Sequence, residues 1–485
     1  MQDILATLPK TLSATRDPAE LSRFTQQSVD FISSSPIAIV KPAELETLRE
    51  LVLWANENNC PLVPLSSSTG ASGRGQSTSS ARPAIIVDLS GMKRIINVDE
   101  RDGIAVIEAG VTFPEFDLAL KSHGMRSFKP LLPRRNKSVL TSYLDREPLT
   151  SPHDHWDSQD PLGGLQVVFG SGESFRTGTA AIGGSLEEQL RKGSRQMMAV
   201  GPGVTDFLRV IQGSQGTLGI VAWASAYCEP IPALEKSFFV GSDDIASLIE
   251  LAYRVLWRRQ GGQMFIVNNV QLAMICGRDK SAFDALVGRL PRWALYVNLT
   301  SPDYFAQDRM SFLEADLIAD AAALGLSAVD KLAGCSAREI GDQQNELPAL
   351  HYKDRPLGAH RDVFFLTQLD QAPKFVREVT SLTDANGLAA DSVGFYLQPR
   401  IQGVNCHFEM TFPFAPSDGV SATKIAALAQ LAARRIADAG GFFSRPHGPW
   451  SDIAFGKDRS IQRYLRMTKQ LFDPNEILSP GKLCF

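Results

Sequence analysis

The chain has 485 residues, 44% of them hydrophobic and 21% charged, with a net charge of −4. That length suits two or three domains around a large core, and the composition is that of an ordinary globular protein. The charge balance gives no bulk attraction for nucleic acid or anionic lipid, and no apolar run approaches the roughly 20 residues of a membrane span.

Met1–Gln27 lacks the apolar core of a signal peptide and reads as a short surface helix. Pro36–Val40 reads as a strand. From Pro42 to Asn59 apolar residues recur at helical spacing (Leu45, Leu48, Leu51, Val52, Trp54, Ala55), and the pattern stops at Asn58-Asn59. Leu62–Pro64 is a short strand. It leads into Leu65-Ser66-Ser67-Ser68-Thr69-Gly70-Ala71-Ser72-Gly73-Arg74-Gly75 and then the strand-like run Ala84–Leu89. A loop free of bulky side chains lets main chain wrap closely round a ligand, and consecutive N–H groups can converge on one phosphate. The same composition also suits a plain polar loop. A strand pair follows at Arg94–Asn97 and Ile104–Glu108, and Phe113–His123 is an amphipathic helix ending at Gly124. The cysteines (Cys60, Cys228, Cys276, Cys335, Cys406, Cys484) are scattered without a Cys-x-x-Cys pair. That argues against an iron–sulfur cluster or zinc knuckle and fits reduced thiols. These features predict a cytoplasmic, multidomain α/β protein.

The β-α-β unit, the small-residue loop, the strand ending Val87-Asp88-Leu89, and Glu108-Ala109-Gly110-Val111 before a helix resemble a known family. It is the vanillyl-alcohol oxidase/p-cresol methylhydroxylase (PCMH) superfamily, through its FAD-binding domain. Ser138-Val139-Leu140, then Ser151-Pro152 with Asp154-His155-Trp156, is similar to the flavin-contacting segment of the vanillyl-alcohol branch, and Leu165–Glu173 with Arg176-Thr177-Gly178 continues the match as a hairpin. Gly213-Ser214-Gln215-Gly216-Thr217-Leu218-Gly219-Ile220 is similar to the family's Gly-Ser-x-Gly-Thr-Leu-Gly-Ile signature. Glycines there let main chain lie against a cofactor where a Cβ would hold it off. Leu471–Lys482 resembles the Asp-Pro-x-x-Ile-x-x-Pro-Gly-Lys tail that in the family returns to the flavin domain.

The resemblance implies FAD, bound by Ser66, Ser67, Ser68, Thr69, Gly70, Ser72, Thr141, Asp154, His155, Gly213, Gly216, Thr217, Gly219, Ile220 and Lys482. It implies an α+β fold: a two-subdomain PCMH-type FAD-binding domain from residues 1–235 and 441–485, and a cap with an antiparallel sheet from 236–440. Two places depart from the family. Ser66-Ser67-Ser68 stands where glycine is usual, and Thr141-Ser142 stands where a glycine and an asparagine are usual.

After Pro230-Ile231-Pro232 strand-like runs (Ser237–Val240, Ala294–Leu299, Val363–Gln368, Val393–Gln398, Val404–Phe412) alternate with long amphipathic helices. Those helices are Ile245–Arg259, Met310–Leu324, Lys374–Asn386 and Ala422–Ala439. This predicts helices packed on one face of a sheet. Ser301–Tyr304 and Gly334–Pro356 are the least regular stretches and read as surface loops.

In Val404–Met410, strand periodicity puts Asn405, His407 and Glu409 on one face and Cys406, Phe408 and Met410 on the other. The polar face lines a cavity or, on an edge strand, meets solvent. Asn405-x-His407 and Gly440-Gly441 with His447-Gly448 resemble the 2-hydroxy-acid dehydrogenase branch, in which two histidines and a glutamate hold a metal and a further histidine is the base. By that resemblance His407 matches a ligand and His447 the base, while the other ligand positions fall on Arg400 and Pro446, so no metal is expected. Arg400 can instead hold a substrate carboxylate. The remaining histidines (His123, His351, His360) show no local partner pattern and read as structural or surface residues.

The expected function is an FAD-dependent oxidoreductase that removes a hydride from a hydroxyl-bearing carbon of a small organic alcohol, carboxylate-bearing or aryl. His447 would be the base, with His407 and Glu409 orienting substrate or proton. Electrons would pass to oxygen, a carrier or a partner subunit, and a homo-oligomer is expected. Two alternatives stay open: a flavin-fold scaffold without catalysis, motivated by the altered cradle, and an aryl-alcohol or phenylpropanoid oxidase, motivated by Asp154-His155-Trp156.

Overall fold

The structure, a computed structural model, describes residues 4–25, 36–67, 82–152, 161–389, 392–456 and 458–485. Three sheets carry the fold. In the first, Ile85–Asp88 lies parallel between Ala38–Val40 and Leu62–Leu65, with Ala14–Thr15 antiparallel on the far side of Ala38–Val40. Parallel neighbours need a crossover. The helix Leu45–Glu57 supplies it, burying Leu48, Leu51, Val52, Trp54 and Ala55. The second sheet is antiparallel, in the order Ile95–Asp99, Ile104–Glu108, Gly219–Pro230, Leu162–Phe169, Ser174–Arg176.

Residues 234–414 supply the third sheet. Its seven antiparallel strands run Ala328–Val329, Leu234–Ser242, Trp293–Ser301, Gln263–Asn268, Gly394–Arg400, Asn405–Phe414, Ala359–Thr367. The helices Ile245–Trp257, Ala306–Ala322, Ala372–Ala385 and Gly419–Asp438 cover one face. The other face shares a core with the second sheet, where Phe239, Tyr296 and Tyr396 join Ile107 and Val167. Two helices missed by periodicity, Asn269–Cys276 and Ala337–Asn345, pack into that shared core, so helices are not confined to one face as expected. Asn269–Cys276 is buried from Val270 to Ile275, and an apolar run without a polar side has no 3.6-residue pattern to detect. The stretch 334–356, expected as loop, contains Ala337–Asn345 and a helical turn at Tyr352–Asp354.

The helix Arg459–Phe472 leads to a tail that joins the first sheet. Leu62 N–H donates to Ile477 O and Ser479 N–H to Leu62 O, both at 2.8 Å. The turn before it is organised by Asp473, whose carboxylate accepts the N–H groups of Ile477 and Leu478 at 3.1 and 2.8 Å. Buried Lys469 donates to Thr217 O and Leu478 O at 2.6 and 2.8 Å, linking the tail to the second sheet. Among the described residues no helix is long and apolar enough to cross a membrane.

Candidate active site

A cleft opens where the first two sheets and the tail meet. Its walls are Pro64–Ser66, Leu140–Thr141, Leu144–Asp145, residues 213–216 and 219–221, and Lys482. Gly216 has φ +72°, and a Cβ there would stand 2.5 Å from Pro64 Cγ, so glycine is what allows the two segments to close. Gly213 has the same φ, and nothing lies within 4 Å of where its Cβ would project. A side chain there would occupy the cleft itself.

The two departures from the family pattern meet each other. Ser66 Oγ hydrogen-bonds Thr141 Oγ1, and Ser67 Oγ accepts the N–H of Ser138 at 2.8 Å. Ser138 in turn caps the short helix Val139–Leu144 by accepting Thr141 N–H at 3.1 Å. The hydroxyls thus tie the end of the strand Leu62–Leu65 to a helix start, where glycines would have left only main chain. Of the predicted cofactor residues, Ser66, Thr141, Gly213, Gly216, Gly219, Ile220 and Lys482 line the cleft. Thr217 does not: it is buried and spends its hydroxyl on Ser214 O at 2.7 Å, closing the turn. Ser68, Thr69, Gly70, Ser72, Asp154 and His155 lie outside the described residues.

Charge is concentrated at one end of the cleft. Burial pushes the Asp145 carboxyl up to about 6 against the pull of Lys137, and burial brings Lys482 down to about 8 against the pull of Asp145. Burial also works against the Glu147 carboxylate. Lys137, 2.9 Å away, and Arg445 outweigh it and hold Glu147 at about 2. The loop carrying His447 is fastened to this end, because cleft-lining Gln215 donates from Nε2 to Pro446 O at 2.9 Å. His447 is half-buried by surface area, yet enclosed enough for burial to be the largest influence on it, followed by Arg445 and Lys137. Its pKa falls to about 3, so the ring is neutral and able to accept a proton at ordinary pH.

Beyond that loop lies the polar face of the strand Asn405–Phe414. The strand is interior, between Gly394–Arg400 and Ala359–Thr367, so the solvent-facing edge alternative is ruled out. Cys406, Phe408, Met410 and Phe412 enter the helix-covered core, while His407 and Glu409 point the other way and are each 1% exposed. Arg445 approaches His407 Nδ1 at 3.5 Å and lies over the Phe364 ring at 4.1 Å. His407 Nε2 stands 3.3 Å from Glu409 Oε2. Burial lowers the His407 pKa to about 4, so the ring is neutral, and these partners require the proton on Nε2 with Nδ1 accepting from Arg445. Glu409 Oε1 pairs with buried Lys353, which also reaches Asp362 at 3.2 Å. Asp362 meets His360 Nε2 at 3.2 Å, and His360 Nδ1 meets Asp354 at 2.7 Å. Arg134 closes the series 3.0 Å from Asp354.

His360, read from sequence as a structural or surface residue, is a buried internal member of a charge chain, and its two aspartates raise its pKa despite burial. Nothing local in the sequence pairs it with Asp354 across a turn and Asp362 beside it. Arg400 ends its strand half-buried, opposite Asn405, and its charge helps lower His407. The side chain that sequence reasoning missed is Arg445. It lies in the same Gly440–Gly448 loop as His447, where no repeat or spacing marks an arginine as buried. His351, Asp354 and His360 place ligand-type atoms within 4.8 Å of one another. The ion pairs of Asp354 with Arg134 and of His360 with Asp362 already neutralise that cluster.

Residues 36–135 match the FAD binding domain family, and residues 367–483 match the C-terminal domain of FAD linked oxidases. A D-2-hydroxyglutarate dehydrogenase of Stutzerimonas stutzeri (strain A1501) is 20% identical over 99% of this chain and 98% of its own length. The 4-cresol dehydrogenase (hydroxylating) flavoprotein subunit of Pseudomonas putida is 27% identical over 46% of this chain, an alignment that spans 40% of that relative. The 4-ethylphenol oxidase of Gulosibacter chungangensis, solved as an isoeugenol complex, superposes with a TM-score of 0.81 at 17% identity, covering 99% of this chain and 95% of that one. The chain carries both the FAD binding domain and the C-terminal domain of FAD linked oxidases, and its fold is that of the 4-ethylphenol oxidase. It is an FAD-dependent oxidoreductase.

The cleft of this oxidoreductase fits FAD on its own terms. Its walls combine small and aliphatic residues, nothing lies within 4 Å of where a Cβ at residue 213 would stand, and Lys482 brings a cation to the wall. Ser66, Thr141, residues 213–216 and Lys482 are the described groups that would hold the dinucleotide.

Proposed function

We propose that this oxidoreductase acts on the hydroxyl-bearing carbon of a small 2-hydroxy acid, with Arg445 holding the carboxylate and His447 taking the hydroxyl proton. The observation that carries the reading is the buried Arg445 guanidinium, fixed between Phe364 and His407. A guanidinium at that depth presents a planar donor set to a carboxylate. The end-to-end alignment with a D-2-hydroxyglutarate dehydrogenase supports the same substrate class. The anchor assigned to Arg400 from sequence moves to Arg445, with Arg400 adding to the positive field.

Bound FAD supplies the hydride acceptor. Arg445 orients the acid, and Glu409 and Lys353 keep His407 in the tautomer that keeps Arg445 in place. His447 is a weak base while Arg445, Lys137 and Lys482 surround it with positive charge. A substrate carboxylate cancels part of that field and raises the basicity of the imidazole, so proton acceptance is strengthened only when the acid is bound.

Phe364, Tyr396 and Trp450 also surround the histidines. The Phe364 ring is 5.7 Å from His407, 6.0 Å from His447 and 5.0 Å from Trp450, and Tyr396 is 5.9 Å from His407. This favours a second reading, an aryl alcohol or phenol. The two separate in one experiment: anaerobic mixing of the FAD-loaded protein with glycolate, both lactates, D-2-hydroxyglutarate and 4-cresol, following loss of oxidised-flavin absorbance. A hydroxy acid is expected to bleach the flavin. Arg445→Met should raise the concentration required by roughly 10- to 100-fold, the worth of a charge-assisted hydrogen-bond pair. Bleaching by 4-cresol alone, undisturbed in Arg445→Met, would sink the hydroxy-acid reading.

A further inference from the structure

The helix Arg459–Phe472 carries more apolar surface than the protein covers. At about 100° per residue its apolar side chains, from Met467 round through Tyr464 and Leu471 to Leu465, span roughly 160°, where a helix seated on a core needs about 100°. The inner edge is used: Phe472 packs on Phe169 with ring centroids 4.4 Å apart. The outer edge is not, with Tyr464 65%, Met467 53% and Leu471 72% exposed. Arg459, Arg463 and Arg466 lie exposed along the adjoining sector. The helix contains no acidic residue, and Asp458 just before it accepts the N–H groups of Ser460 and Ile461. In a chain of net charge −4, this ridge concentrates cations beside large apolar side chains.

We propose that this ridge rests on an anionic lipid surface, with Tyr464, Met467 and Leu471 entering the boundary between headgroups and acyl chains and the three arginines on lipid phosphates. Cations set beside large apolar side chains on one ridge match a surface that offers phosphate and hydrocarbon together, and a fluid surface needs no complementary shape. Arginine binds phosphate through two donors, tyrosine suits the interface between water and hydrocarbon, and peripheral binding draws on apolar insertion and charge together. The contact is peripheral. Through Lys469, which holds Thr217 O and Leu478 O, the helix is joined to the turn that follows cleft-lining Gly216.

The test is co-sedimentation of the FAD-loaded chain with vesicles of equal parts phosphatidylglycerol and phosphatidylcholine, and with phosphatidylcholine alone. The chain is expected to pellet with the anionic vesicles at low ionic strength, to remain in solution with the neutral ones, and to be released as salt is added. The variant Tyr464→Ser/Met467→Ser/Leu471→Ser should weaken binding roughly tenfold or more. Arg459→Gln/Arg463→Gln should weaken it roughly fivefold for each charge removed. Flavin content and melting temperature identify a variant that has lost its fold, and the arginine variant keeps the test decisive if the apolar one has. Failure to bind anionic vesicles, equal binding to neutral vesicles, or variants that bind like the parent would overturn the proposal. So would a dimer in size-exclusion chromatography that the apolar variant dissociates, which would assign the ridge to self-association.

Discussion

A guanidinium taken out of water has to be held by its surroundings, and Arg445 is 7% exposed. Its partner His407 can accept from it because Glu409 fixes the ring and Lys353 fixes Glu409. Lys353 is therefore expected to be a positioning residue, remote from the hydroxy acid. Lys353→Met would leave Glu409 and Asp362 buried without their cation, at a cost of about 3–5 kcal/mol. Urea unfolding checks this, and a variant as stable as the parent would mean those carboxylates are otherwise neutralised. The alternation of Asn405, His407 and Glu409 was legible in the sequence because a strand repeats every second residue. Arg445 was not, since a loop residue has no period and its partners come from two other strands.

At the scale of single elements, the short helix Val139–Leu144 carries Thr141 and Ser142 where the family pattern has a glycine and an asparagine. Thr141 meets Ser66 through their hydroxyls, so each unusual residue accounts for the other. Reading either departure alone suggests a damaged cradle, because the contact spans 75 residues and no local rule pairs them. Thr141→Val removes the hydroxyl at almost constant volume and should weaken FAD retention by roughly fivefold to tenfold, about one hydrogen bond. The ratio of flavin to protein absorbance after gel filtration measures it, and full retention would place that hydrogen bond outside the cofactor's reach. Where an element has a polar side, as in Leu45–Glu57, its extent was readable to within a few residues. The buried helix Asn269–Cys276 gave no such signal.

For the molecule as a whole, the buried histidines set the response to acid. An unfolded histidine takes up a proton near pH 6.5. Folded His407 resists until about 4 and His447 until about 3. Protons therefore favour the unfolded chain, and stability falls as pH drops from about 6.5 to about 4, by an amount of order 3 kcal/mol for His407 alone. His360 acts in the opposite sense: its pKa is raised, so its contribution is complete below about 6.5 and fades as pH rises through its folded value. Urea titrations from about pH 4 to about pH 8 should show the acid loss, and His407→Gln should make it shallower. A flat profile would mean that neither ring is held neutral. The family resemblance made the cofactor fold and the returning tail legible, while the order of the third sheet depends on pairings between strands far apart in the chain.

That tail also orders events during synthesis. Leu478 sits against Leu62 and Lys482 forms part of the cleft wall, so the groove exists only once residues made more than 400 positions apart have met. A ribosome-bound chain halted before residue 478 has no finished place for a dinucleotide, and flavin capture must follow translation of that segment.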